Sequence, residues 1–285
     1  MAVDAKSVKA LREKTGLPMM ECKKALESSG GDVDQAYEDL RKAGLKAQEK
    51  LAGRKSEEGR VGSSVDADGK NGVLVALRCE TESVAKNAAF QEFLDELTAL
   101  IARENPADRD ALEALTTASG ATVDGSVTEL VNQFRENINL GRFARCSADA
   151  VVQYVHFDNK KAAMVALEGG SVSDENVAEL GKGLCMHVVF TQPKALSRDQ
   201  LDPAVIEKEK EILLEAAKGD PKNAKKPAEI LEKIIQGQIN KFISQQCLLE
   251  QAYVRDEKQT VEKFINGSGT GVKLVDFAYV ATDVD

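Results

Sequence analysis

A stretch of this chain repeats itself at an offset of ninety residues without a gap, and that repeat limits the folds open to it. Setting Arg60–Leu77 against Ala150–Leu167 pairs Val61 with Val151, Val65 with Val155, Asp68 with Asp158 and Lys70 with Lys160, then Val75-Ala76-Leu77 with Val165-Ala166-Leu167. In the first copy, Val73 to Cys79 is a short apolar run that suits a buried β-strand. Beyond Ser83 the spacing turns helical: Phe90, Phe93, Leu94, Leu97, Leu100 and Ile101 recur at three and four residues. Such a stripe must pack on the sheet that owns the strand. Carried into the second helix, the same offset sets Ala88 against Ala178, Leu94 against Leu184 and Leu100 against Phe190. The pattern predicts a duplicated strand, hairpin, strand, helix unit, two half-domains building one α+β core. Between strand and helix of the first copy lies the polar corner Glu80-Thr81-Glu82-Ser83, where Thr81 or Ser83 caps the helix. A projecting corner of this kind can touch a partner.

The rest of the chain is read around that repeat. Over residues 1–44, Asp4 opens a helix with Val8 and Leu11 inward, Thr15-Gly16 stops it, and Pro18 begins a second with Met19, Met20, Cys22, Ala25 and Leu26. Gly30-Gly31 ends that helix, Asp32 caps a third with Val33, Ala36, Tyr37 and Leu40 at helical spacing, and Gly44 closes it. Two adjacent methionines cannot both face so small a core, so one of them is exposed, at the core edge or as a soft contact surface. Leu45–Arg60 reads as a helical tail passing into a linker, and Gly120–Gly125 as a loop. Val127, Leu130, Val131, Phe134 and Ile138 form one amphipathic helix.

In the second copy, helix Asn176–Phe190 has His187 where the offset puts Leu97. A histidine in a core-facing register is more often a hydrogen-bonded packing residue than a functional one. Asp202-Pro203 opens a long helix, Gly219-Asp220-Pro221 breaks it and Pro227 restarts a partner, so residues 203–243 fold back as an antiparallel hairpin. Its tip carries Lys218, Lys222, Lys225 and Lys226. The run Asn266-Gly267-Ser268-Gly269-Thr270-Gly271 leads into a strand over Val272–Val280 rather than a helix, which makes it a turn and not a phosphate loop.

Composition narrows the function. A net charge of −9 and a pI near 5.1 disfavour a broad grip on nucleic acid, because neutralising phosphates takes clustered Lys and Arg. No apolar run approaches membrane-spanning length, and the start MAVDAKSVKAL has no signal-peptide stretch, so a cytoplasmic protein is expected. Cys22, Cys79, Cys146, Cys185 and Cys247 are scattered without a CxxC pair and read as reduced packing residues. With only His156 and His187, there is little material for a zinc site or a histidine triad. Gly181-Lys182 lacks the rest of a nucleotide-binding P-loop, and the carboxylates show no convergent pair. Neither enzyme chemistry, a cofactor nor a metal is called for.

Several stretches together resemble bacterial elongation factor Ts, the guanine-nucleotide exchange factor of elongation factor Tu. They are LREKTGLPMMECKKAL (Leu11 to Leu26), ALRCETESVAKNAAF (Ala76 to Phe90), ENINLGRF (Glu136 to Phe143), CMHVVFTQPKAL (Cys185 to Leu196) and VIEKEKEILLE (Val205 to Glu215), in the family's order over essentially the whole chain. The resemblance implies an α+β chain made of a three-helix ubiquitin-associated-like domain with its linker (residues 1–55), a first core half-domain (56–145), and a second (146–285) that holds the helical hairpin (203–243).

It further implies that Arg12, Met19, Met20 and Lys23 meet the nucleotide-binding domain of elongation factor Tu, GDP-bound and nucleotide-free, and that His187 contacts another domain of that partner. Thr81, Glu82, Ser83 and Val84 form the corner that disturbs the partner's magnesium and phosphate site and so promotes GDP release. In the family the corner reads Thr-Asp-Phe. Here Glu82 keeps the charge on a longer arm, and Ser83 has lost the ring. Tight binding with weak exchange is therefore an alternative. A ubiquitin-type binding module in an unrelated scaffold, or an enzyme with an unrecognised site, are readings from other classes.

Overall fold

The computed structural model describes residues 3–219 and 228–284. The Lys-rich tip expected at Lys218, Lys222, Lys225 and Lys226 lies outside the residues whose side chains are described. Helices α1 (Ala5–Thr15), α2 (Met19–Ser28) and α3 (Val33–Leu51) precede strands β1 (Glu58–Val65) and β2 (Asn71–Cys79). Helices α4 (Glu82–Ala85), α5 (Ala88–Glu104), α6 (Arg109–Glu113) and α7 (Val123–Phe134) lead to β3 (Asn139–Ser147), β4 (Ala150–Val155) and β5 (Lys161–Glu168). There follow α8 (Glu175–Thr191), α9 (Pro203–Gly219), α10 (Ala228–Gln246), β6 (Ala252–Tyr253), β7 (Asp256–Thr260), α11 (Val261–Gly267) and β8 (Lys273–Ala281).

Among the described residues the strands form antiparallel sheets ordered β1-β2-β3 and β4-β5-β8, with β6-β7 as a small ribbon. Strand β2 is apolar from Val73 to Leu77 because both its faces are covered there. Val73, Val75 and Leu77 join Phe90, Leu97 and Ile101 of α5 and Val127 and Val131 of α7, while Leu74 and Ala76 face the other sheet. In β5 the same alternation sends Ala163, Val165 and Leu167 toward α8 and Ala162, Met164 and Ala166 toward the first sheet. The order of layers is thus helix, sheet, sheet, helix, with α5 and α8 on opposite outer faces. Each fully buried Phe, Leu or Ile contributes roughly 1.5–3 kcal/mol relative to exposure.

The two hairpins exchange their turns. Val61 N–H donates to Asn159 O at 2.8 Å, and Val151 N–H donates to Gly69 O at 2.7 Å. Donors and acceptors alike are separated by ninety residues, so each turn closes on the other hairpin's first strand in the same way. Gly69 and Asn159 both sit in the left-handed region, at φ 69° and 56°.

The helices break that register. Helices α5 and α8 are each 17 residues long, with side-chain caps from Asn87 and Asp174 and left-handed ends at Asn105 and Gln192. Equivalent helical positions therefore lie 87 apart, which corrects the expected partners: His187 matches Leu100 rather than Leu97, and Leu184 matches Leu97. The three extra residues of the first copy are taken up by α4. Thr81 caps that short helix, accepting from Val84 N–H at 3.4 Å, and Asn87 starts α5 separately; Ser83 caps neither.

Other expectations are revised by packing. Gly44 does not close α3, which continues to Leu51; the residue sits inside the helix, where a Cβ would lie 3.2 Å from Thr128 Cγ2. The glycine lets α3 approach α7, and Tyr37 Oη donates to Glu129 at 2.6 Å while Thr128 Oγ1 donates to Gln48 at 2.6 Å. Gly125 belongs to the first turn of α7, capped by Thr122, and Ile138 is buried in the loop after that helix. Gly141, Arg142 and Arg145 interrupt the apolar pattern of strand β3, which the sequence therefore does not show; the glycine is needed because a Cβ would sit 2.8 Å from that of Ala76. Helices α9 and α10 pack together through Ile206, Leu213, Ile235, Ile239 and Ile243.

Candidate protein-interaction face

At the start of α2 both Met19 and Met20 point to solvent, 54% and 60% exposed, where the sequence left only one outside. The small core beneath them is completed by Val8, Leu11, Leu17, Cys22, Leu26 and Ala36, which leaves no room for either thioether. Arg12 on α1 and Lys23 on α2 are exposed, Lys23 within 3.7 Å of Glu27.

Two consecutive residues join this patch to the corner. Helix α7 ends with Arg135 at φ 58°, a turn that sends neighbouring side chains in different directions. Arg135 Nη2 donates to Glu21 of α2 at 2.6 Å. Glu136 accepts from Thr81 Oγ1 at 2.6 Å, from Thr81 N–H at 3.0 Å and from Glu80 N–H at 3.2 Å. In return Glu80 accepts from Asn137 N–H at 2.6 Å. Three amide or hydroxyl donors on one carboxylate fix the corner's backbone, since charge-assisted hydrogen bonds are the strong ones. No periodicity exposes this clamp; its only trace in the sequence is that Glu136 opens the ENINLGRF stretch.

Within the corner, Thr81 and Ser83 are exposed. Glu82 folds back onto the body, accepting from both terminal nitrogens of Arg60 at 3.1 and 2.6 Å. Lys160, from the β4–β5 turn, lies 3.6 Å from Glu82 and 2.5 Å from Glu58. The Arg60 guanidinium holds the Glu82 carboxyl well below the usual carboxylate range, and Glu82 in turn raises Arg60. Val84 does not belong to the exposed corner, because it is packed into the core with Ala85 and Phe90.

His187 is not on the surface either. Its ring is fully buried on α8, over the sheet opposite the corner's helices. Nδ1 accepts from Val254 N–H at 3.2 Å, so Nε2 carries the proton and donates to Gln251 Oε1 at 2.9 Å. Thr191 Oγ1 donates to the same oxygen at 2.8 Å. Burial lowers the His187 pKa, with the Gln251 hydrogen bond opposing, and the ring stays neutral. The histidine locks α8 to the segment around Tyr253, while Phe190 on the same helix is 73% exposed.

All five cysteines are free and buried, and burial pushes the thiols of Cys79 and Cys146 up to about 12, far from reactive thiolates. Among the described residues, the concavity between Arg142, Gln192 and Tyr279, about 240 Å³, is lined by a single carboxylate, Asp276. Among the described residues no helix is long and apolar enough to cross a membrane.

The geometry links the helix that exposes two thioethers to a charge-tied corner through the consecutive residues Arg135 and Glu136. The profile of the family described as Elongation factor TS matches residues 80–282. Proteins named Elongation factor Ts are similar along nearly the whole chain. The one from Alkalilimnicola ehrlichii is 42% identical over 274 residues, 95% of this chain and 90% of its own length. Those from Syntrophotalea carbinolica and Azoarcus sp. are 43% and 44% identical, covering 94% and 95% of this chain and 88% of their own lengths. The chain belongs to the elongation factor Ts family of translation factors.

Proposed function

We propose that this chain binds elongation factor Tu, GDP-bound and nucleotide-free, and promotes GDP release by disturbing the magnesium and phosphate site of that GTPase. The observation that supports this is that Arg135 ties down Glu21, next in the chain to the exposed Met19 and Met20, while Glu136 ties down the Thr81–Ser83 corner. On this reading Arg12 and Lys23 add positive charge to the contact. Exchange requires the factor to prefer the empty GTPase, and reciprocity then weakens nucleotide by the same factor. A second contact falls on α8, where His187 acts by positioning the helix and its exposed neighbours make the touch. The action is non-covalent and cytoplasmic, without direct contact to nucleic acid or membrane.

The same reading divides the chain into a three-helix ubiquitin-associated-like unit and linker over residues 1–55, and duplicated half-domains over 56–145 and 146–285, the second bearing the hairpin 203–243. Stopped-flow release of a fluorescent GDP analogue from elongation factor Tu tests the activity: release accelerates with added factor, and no acceleration at saturation would end the exchange claim. One observation favours a second reading, tight binding with weak exchange. Glu82, although partly exposed, is held by Arg60 and Lys160. A nucleotide-free complex of high affinity with slow GDP release would select it.

A further inference from the structure

Among the described residues the most exposed large apolar side chain is Phe157, at 87%, in the β4–β5 turn. The turn beneath it is rigid. Asn159 N–H donates to His156 O at 2.8 Å, Lys160 N–H to Asp158 Oδ1 at 2.9 Å, and Val61 N–H to Asn159 O at 2.8 Å. The ring of His156 lies 4.5 Å from that of Phe157, and His156 Nδ1 is 3.1 Å from Tyr154 Oη. Three residues on, Lys160 ties the turn to Glu58 and to Glu82 of the corner, so the turn that carries the phenyl ring abuts the corner.

The turn does not need a ring in order to form. Its counterpart ninety residues earlier closes with the matching bond, Gly69 N–H to Asp66 O at 3.0 Å, and has Ala67 at the position of Phe157. Isolated exposed apolar residues are common and by themselves mean little. This one is held on a fixed platform beside a corner whose own exposed side chains, Thr81 and Ser83, are polar. Rigid aromatic side chains lose little entropy on burial, which is why they anchor interfaces.

We infer that Phe157 is an aromatic anchor for the GTPase partner, entering an apolar depression beside the surface that receives the corner. The inference rests on the proposed function. The test titrates the full chain and its Phe157→Ala variant against nucleotide-free elongation factor Tu, with GDP release and thermal unfolding measured in parallel. Phe157→Ala, which copies the sister turn, is expected to bind about tenfold more weakly and to release GDP more slowly at sub-saturating factor, with an unchanged Tm; Phe157→Tyr retains most of the affinity. Equal affinity and rate in an active wild type and in Phe157→Ala would overturn the anchor and leave the function standing. A wild type that binds no elongation factor Tu overturns both. If Phe157→Ala instead abolishes self-association of the chain and leaves partner affinity intact, the ring serves a second copy and the inference fails.

Discussion

The two hairpin-and-helix units solve one packing problem with opposite choices. In the first, Gly62 on the strand faces Leu94 and Thr98 on α5, and a Cβ at Gly62 would lie 2.1 Å from Thr98 Oγ1. In the second, the strand carries Val152 and the helix carries the glycine, Gly181, whose added Cβ would lie 2.5 Å from Val152 Cγ2. Strand positions ninety apart and helix positions 87 apart make Gly62 equivalent to Val152 and Leu94 to Gly181. Large and small have changed places while the contact has stayed. The units differ more at their junctions. The second joins β5 to α8 through Gly169 and Gly170, whereas the first spends its extra residues on α4 and the corner. It follows that the corner is an addition to a unit that folds without one, and that its tethers to Arg60, Glu136 and Lys160 are what hold it in place.

The comparison can be broken in several ways. The largest effect is expected for Gly181→Leu, which puts two bulky side chains into one contact and should cost about 3 kcal/mol, read as a lowered Tm. Adding Val152→Gly, which recreates the first unit's arrangement, should recover much of the loss; no recovery would mean that the two contacts are not equivalent.

His187 stands where the first unit has Leu100, so His187→Leu tests whether the polar network is needed. It leaves Val254 N–H unpaired and should cost about 1–3 kcal/mol near pH 7.5. The wild type adds a pH signature. Folding lowers the His187 pKa below 6.5, so its neutral form contributes stability that is complete above about pH 6.5 and is lost as pH falls through the lowered folded value. Wild-type Tm should therefore drop more steeply over that acid range than Tm of His187→Leu, and parallel slopes would remove the histidine as the cause.

Arg60→Ala releases Glu82 from its main tether at a cost in stability of about 1 kcal/mol, given how exposed the carboxylate is. If the tether restrains exchange, GDP release should speed up several-fold; an unchanged rate would show that Glu82 acts in its folded-back position. The smallest effect is expected for Ser83→Phe, which restores a ring to the exposed corner. Release should rise by a few-fold, and an equal or slower rate would show that this corner does not work by insertion.

Much of the fold was legible because it rests on local periodicity. The unbroken apolar run from Val73 and the helical spacing from Phe90 to Ile101 report burial and turn geometry, and the structure has a strand and a helix there. The helix register was misread because a gapless alignment cannot see three residues of α4, which matter only once caps at Asn87 and Asp174 define where each helix begins. Gly44 was read as a stop because a glycine inside a helix is unfavourable alone, and only the approach of Thr128 from α7 reverses that. Of the candidate face, the residues Arg12, Met19, Met20, Thr81 and Ser83 were named from the sequence and are exposed, whereas Val84 and His187 were named and are buried.

The sequence by itself determined the class of elements, the repeated hairpin and the family to which the chain belongs, because these depend on residue order and near-neighbour spacing. Only the tertiary structure decided which side chains face outward and which are restrained. That Met19 and Met20 are both free, that Glu82 is turned toward Arg60, and that Arg135 and Glu136 bind two distant segments into one face all depend on groups far apart in the chain meeting at hydrogen-bond distance. Contacts of that kind are set by how layers stack, and no window of sequence contains them.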